Sequence, residues 1–312
     1  MRKQFSIVLM MVLCAGFGVF AWVELHQSEP SYQGRSLRVW LQAYSEGKST
    51  PDWLHSQQVQ QQLQQQSNAI AQIGTNAIPV LLSMLQVKDS VVRSNLICLL
   101  RRQTFIRVHP HTDREYHSIA LNGFEALGPI GKPAVPVLIH LLEDPELRRN
   151  AAFSLGRIGP ASVDAVPILI SWLTNTEVAT RYCAVDALGR IGPAARKAQP
   201  ALLEHTNDAN RFVRTAIELA LGRQKAYPDI LIPKLIQELE ADLAANRFEP
   251  AKVQALGAFG VQAKSAVPIL LQLLSKHFAE TQEIADALKQ IDPETAASAD
   301  LLARQLRTKI VR

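Results

Sequence analysis

The chain has 312 residues, 47% of them hydrophobic and 6% aromatic, with a formal net charge of +5. That length allows a large core, and the aliphatic bias suits close helix packing more than an aromatic-rich sheet. Arg2 and Lys3 supply two of the five charges and no block of like charge follows, which argues against a nucleic-acid binder.

The first segment, residues 1–23, places Arg2-Lys3 ahead of an apolar run from Phe5 to Val23 broken by Ser6. Nineteen residues at about 1.5 Å each nearly cross a hydrocarbon core of about 30 Å. Basic residues before such a run hold the N-terminus in the cytoplasm. The rest of the chain is therefore expected outside, periplasmic or extracellular. Residues 5–23 read as an uncleaved signal anchor or as a signal peptide cut after Ala21. A lipid on Cys14 is disfavoured because Leu13, not a small residue, precedes it.

Residues 24–52 read as a linker followed by an N-terminal capping helix. Ser28 to Gln33 is expected to be extended. Ser36 would then cap a helix with Leu37, Trp40, Leu41 and Tyr44 on one stripe. Trp40 reads as a plug in that cap. Gly47-Lys48-Ser49-Thr50 is not a phosphate-binding loop, since Gln42 stands where that loop needs glycine. The glutamine-rich run Gln57–Gln66, interrupted by Val59 and Leu63, reads as a solvated helix face.

From residue 53 to about 295 one phrase recurs. Aligned on a proline, the copies fall at Pro79, Pro136, Pro167, Pro200, Pro233 and Pro268, with gaps of 57, 31, 33, 33 and 35 residues. A period in this range signals stacked repeats. Each copy holds an apolar helix ending in Leu-Gly-x-Ile-Gly, as at Leu155–Gly159 and Leu188–Gly192, and a second helix entered through Ala-Val-Pro or a relative. Gly159 and Gly192 are expected to stop the first helix in a left-handed conformation, with Pro160 and Pro193 behind them. Gly156 and Gly189 lie inside that helix, where glycine costs about 1 kcal/mol against alanine. Close helix–helix approach is the expected reason.

The first gap is long because residues 101–117 interrupt a copy. This insertion carries Arg107, His109, His111, Arg114 and His117, and it reads as a solvated or salt-bridged loop. Its His/Asp/Glu donors do not match a zinc spacing, and no metal or other cofactor is expected. The three cysteines are dispersed, and Cys98 and Cys183 read as small core residues. Residues 296–312 read as a polar C-terminal cap and tail.

The phrases VRSNLICLL, LRRNAAFSLGRIGP, TRYCAVDALGRIGP and VRTAIELALG resemble HEAT repeats, above all the short HEAT-like type named for phycobilisome lyases. The resemblance covers about residues 67–295. It implies an all-α fold, an α-solenoid of six to seven stacked antiparallel helix pairs. It also implies that an Asp and Arg recurring at Asp89/Arg93, Asp144/Arg148 and Asp208/Arg214, with Arg181 between, tie neighbouring repeats. The second helices would line the concave face.

Four residues after each proline stand Ser83, His140, Ser171, Glu204, Gln237 and Gln272, and seven after it stand Gln86, Glu143, Thr174, Asn207, Glu240 and Ser275. Both columns are polar among apolar neighbours and are expected at the surface. Trp172 and His205, five after the proline, stand out as contact residues. The bland reading makes Trp172 core and the columns ordinary solvated surface.

Catalytic signatures are missing: no Gly-x-Ser-x-Gly, His-Glu-x-x-His or Cys-x-x-Cys occurs. The HEAT-like hydroxylases use His-Glu pairs, and this chain has no His-Glu dipeptide. The expected function is a non-catalytic scaffold or adaptor for a protein or peptide partner. The alternative is an enzyme or enzyme-accessory, lyase-like factor using a metal or anion site in the 101–117 insertion.

Overall fold

A computed structural model describes residues 29–49, 57–88, 98, 111–276 and 281–297. The apolar segment 5–23, residues 101–110 of the insertion (with Arg107 and His109), the Asp89/Arg93 pair and residues 298–312 lie outside the described residues. The chain divides into two compact units, up to Ala77 and from Ile78 onward.

In the first unit, β1 (Ser31–Tyr32) and β2 (Arg35–Ser36) pair antiparallel. The turn is made by Gln33 and Gly34, both with positive φ, as a tight hairpin requires. This hairpin replaces the extended linker expected there. Helix α1 (Leu37–Lys48) buries Leu37, Leu41 and Tyr44 against α2 (Gln57–Ile73). Ser36 does sit at the N-cap of α1, but its side chain makes no capping bond. Glu29 does that work instead: its carboxylate accepts the Arg38 N–H at 2.6 Å, while Pro30 O accepts the Leu37 N–H at 2.8 Å. Trp40 is half-buried and donates its indole N–H to Tyr32 O, which fastens the hairpin to the helix. The glutamines of α2 are largely exposed, as a solvated face should be.

The second unit alternates two kinds of helix. The first helices of the copies are α4 (Asp113–Leu127), α6 (Arg148–Ile158), α8 (Val178–Ile191), α10 (Arg211–Arg223), α12 (Pro250–Phe259) and α14 (Thr281–Ile291). The second helices are α3 (Ile78–Leu85), α5 (Val135–Leu141), α7 (Val166–Ser171), α9 (Gln199–Glu204), α11 (Pro228–Ala244) and α13 (Val267–Lys276). Each first helix packs on the next in one row. The in-helix glycines explain how closely. A Cβ on Gly156 would meet Ala187 Cα at 3.1 Å, on Gly189 Ala220 Cα at 2.9 Å, and on Gly222 Ala255 O at 2.7 Å. These approaches leave no room for a side chain.

The helix-stopping glycines depart from expectation in one respect. Gly159 (φ 76°, ψ −138°) and Gly192 (φ 68°, ψ −141°) do adopt positive φ, but their ψ is extended. They occupy the mirror-image β region rather than the left-handed helical one, and this region is essentially restricted to glycine. A 3₁₀ turn follows, over 159–165 and 192–198, and delivers the chain to the next helix with proline in its first turn. Segments 148–174 and 250–276 are long and apolar enough to cross a membrane by composition. Each folds back at a glycine into two antiparallel helices, so neither is a single rod.

The copy around Pro233 breaks the pattern. Gly222 stays helical, and the turn is made by Lys225 and Tyr227 with φ of 52° and 51°. Helix α11 starts early at Pro228, so Pro233 lies inside it rather than opening it. Gln224 fills the gap left by the missing 3₁₀ turn, buried and donating to Leu188 O at 3.1 Å.

Candidate partner-binding surface

The two polar columns are at the surface in every copy. Ser83, His140, Ser171, Glu204, Gln237 and Gln272 are exposed, and so are Gln86, Glu143, Thr174, Asn207, Glu240 and Ser275. The cause is local: the apolar stripe of each second helix turns inward on Leu81, Leu138, Leu169, Leu202, Leu235 and Leu270, which are fully buried, and positions two and five residues further on must turn outward. The column between them grades from core to surface. Met84 and Leu273 are buried, while Leu141, Trp172, His205 and Glu238 are half-buried. Trp172 is therefore neither a core plug nor fully exposed. His205 donates Nδ1–H to Ala201 O at 2.9 Å, which holds its ring along α9.

The insertion is partly helix, not loop. Residues 113–117 are the first turns of α4, started by a reciprocal capping box between Thr112 and Glu115. His117 is structural: Nε2 meets Val87 O at 3.0 Å and Nδ1 meets the Asn150 amide at 3.0 Å. With both ring nitrogens engaged it is not available to a metal. His111 packs edge-on against Tyr116 and lies 3.8 Å from the Glu115 carboxylate. Arg114 is exposed. Among the described residues no three His, Cys, Asp or Glu side chains converge as a metal site. Cys183 is buried, and desolvation pushes its thiol up to about 12. Cys98 is exposed, contrary to the core reading.

Among the described residues, the expected Asp–Arg tie is realised between one pair of copies. Arg181 grips Asp208 with two bonds, Nε to Oδ2 at 2.7 Å and Nη2 to Oδ1 at 2.9 Å, and both side chains are largely buried. Arg181 also donates to Asn175 O at 2.8 Å. Arg214 instead donates to Asp208 O at 2.6 Å. Asp144 is held by Lys88 from the preceding copy, not by Arg148.

Two features escaped the sequence reading. One is a cavity of about 140 Å³ between α6 and α8, lined by Arg148, Arg149, Trp172, Thr180 and Cys183 among others. The other is a charged cleft of about 370 Å³ between α10, α11 and α12. There Lys234 bridges Glu218 (2.9 Å) and Glu238 (3.7 Å), and Lys252 bridges Glu238 (2.9 Å) and Asp242 (2.8 Å). Burial raises the Glu218 carboxyl above its ordinary value, and Lys234 only partly opposes it. Burial would also raise Asp242, but hydrogen bonds from Lys252 and Arg247 win and hold it low. The four-residue spacing of Lys234, Glu238 and Asp242 was the available signal.

Stacked antiparallel helix pairs, with glycine-closed first helices and proline-opened second helices, define an α-solenoid. Within it, residues 135–222 match the HEAT-repeats family. No curated protein matches. A solved chain from the complex of CpcE and CpcF of phycocyanin lyase from Nostoc sp. PCC7120 is similar at 18% identity and a TM-score of 0.46, over 90% of this chain and 98% of that one.

Proposed function

We propose that this chain is a non-catalytic HEAT-repeat scaffold that holds a protein or peptide partner on the polar face of its second helices. The observation that supports this reading is the pair of exposed polar columns carried through six successive copies, with the half-buried Trp172, His205 and Glu238 between them. A stack of this kind offers an extended surface in which each copy contributes one rib. The apolar run 5–23 after Arg2-Lys3 supports a membrane tether with the bulk of the chain outside the cytoplasm.

Affinity capture from membrane extract tests the scaffold, using the full chain in mild detergent beside a variant with Glu143, Glu204 and Glu240 each changed to Lys. A partner held by the native chain and lost from the variant supports the reading. A partner retained by the variant removes this face from the proposal. Protease protection in spheroplasts, with the inner membrane intact, tests the tether: cleavage of the repeats by added protease is expected, and full protection until the membrane is dissolved refutes it.

A further inference from the structure

Arg148, Arg181 and Arg214 stand in one register, each eight residues before an in-helix glycine (Gly156, Gly189 and Gly222). At Arg181 the guanidinium is satisfied by Asp208, 27 residues further on. The same step from Arg148 reaches Asn175. Asn175 keeps the backbone task of that position: its Oδ1 accepts the Glu177 N–H at 2.8 Å, as Asp208 accepts the Asn210 N–H at 2.8 Å. It brings no charge, and Arg148 Nε is buried with no hydrogen-bond partner among the described residues. A buried donor left unmade is costly, and a guanidinium is best satisfied by a carboxylate.

The Arg148 side chain also lines the cavity between α6 and α8. Arg149 stands beside Arg148 in its lining, and Trp172 and the neutral Cys183 supply apolar wall. The acids at its edge are occupied: Glu146 pairs with Lys88 at 2.7 Å, and Glu177 accepts the Thr180 hydroxyl at 2.7 Å. A volume of about 140 Å³ equals that of four or five waters at ~30 Å³ each, the size of one short side chain.

We propose that this cavity receives the carboxylate side chain of an Asp or Glu from a partner peptide, with Arg148 and Arg149 binding the anion and Trp172 covering its methylene stem. The partner supplies in trans the carboxylate that the neighbouring copy carries in cis as Asp208. The proposal rests on the scaffold reading and gives that scaffold a specificity: acidic segments over neutral ones.

The test uses the full chain in detergent, labelled with ¹⁵N-arginine and ¹⁵N-tryptophan. The probes are N-acetyl-glutamate N-methylamide, its glutamine counterpart, and N-acetyl-alanine, whose carboxylate is terminal. The glutamate probe is expected to shift the Arg148 Nε–H and Trp172 indole signals saturably while Arg181 stays still. Arg148→Gln should weaken binding about tenfold or more. Asn175→Asp should fill the site from within, raising Tm by about 2–4 °C and abolishing the probe shifts.

Equal shifts from the glutamine probe would overturn the proposal, as would a neutral Asn175→Asp with Arg148 unmoved. Tighter binding of N-acetyl-alanine would overturn the side-chain assignment. A partner captured equally by the native chain and Arg148→Gln would overturn the pocket and leave the scaffold standing. Glutamate binding at Arg148 with no partner on the polar columns would reject the scaffold reading and keep the pocket.

Discussion

Replacing Gly189 by alanine pits two known effects against each other. Gly189 lies in the middle of α8, where alanine is favoured by about 1 kcal/mol. Its added Cβ would stand 2.8 Å from Ala220 Cβ and 2.9 Å from Ala220 Cα on α10, against an optimum of about 3.5–4.0 Å. Both residues are buried, so relief requires the two helices to part, and overpacking of this kind costs about 1–3 kcal/mol. The net expectation is a loss of roughly 1 kcal/mol. At about 2–4 °C per kcal/mol for a body of this size, Tm should fall by a few degrees. Circular dichroism at the helix band, on the full chain with and without the substitution, measures this directly. Adding Ala220→Gly should couple favourably, because it removes the closer of the two contacts. A Gly189→Ala variant that melts higher than the native chain would refute the close-approach argument, since only helix propensity would then remain.

Gly192→Asn tests the backbone claim: a left-handed helical site would tolerate asparagine, but the extended ψ of −141° should make this change cost about 1–3 kcal/mol by thermal melt. Asp208→Asn should remove one limb of the acid profile. Arg181 holds the Asp208 carboxyl below its ordinary 3.8, so this pair stabilises the fold above that value and loses its contribution as pH falls through the lowered one. The variant should be less stable near neutrality and flatter in that acid window. Glu218→Gln has the opposite sign. Burial raises the carboxyl above 4.5, so the native chain gives up stability as pH rises through the raised value, and denaturant titration should show the variant gaining on it toward neutrality.

Much of the repeat architecture was legible because its signals are local. A glycine that must stop a helix and a proline that may open one act within a few residues, and their recurrence set the period. The polar columns were legible for the same reason, since outward positions follow from the helical repeat once the inward leucines are known. The start of α4 was legible too: Thr112-x-x-Glu115 is a capping-box pattern, although the histidines beside it drew attention to metal chemistry instead. His117 could not be read correctly from sequence, because its partners are Val87 O and Asn150, about thirty residues away on either side. Ser36 looked like the cap of α1, and proximity in sequence was misleading, because the hairpin brings Glu29 back over the same N–H groups.

The amino-acid sequence by itself determined that this is an all-α stack of paired helices, which residues close its turns, and which side chains meet water. Those outcomes depend on backbone preferences and on a 3.6-residue period, both carried by short stretches of chain. Tertiary structure decided what depends on distances across the stack. It showed that Gly189 and Gly222 face backbone of the next helix, and that the Lys234 and Lys252 ammoniums alternate with carboxylates along one cleft. It also showed that Asp208 completes Arg181 while Asn175 leaves Arg148 Nε without a partner among the described residues. Satisfaction of a buried charge depends on where its partner ends up, and neighbouring letters do not carry that information.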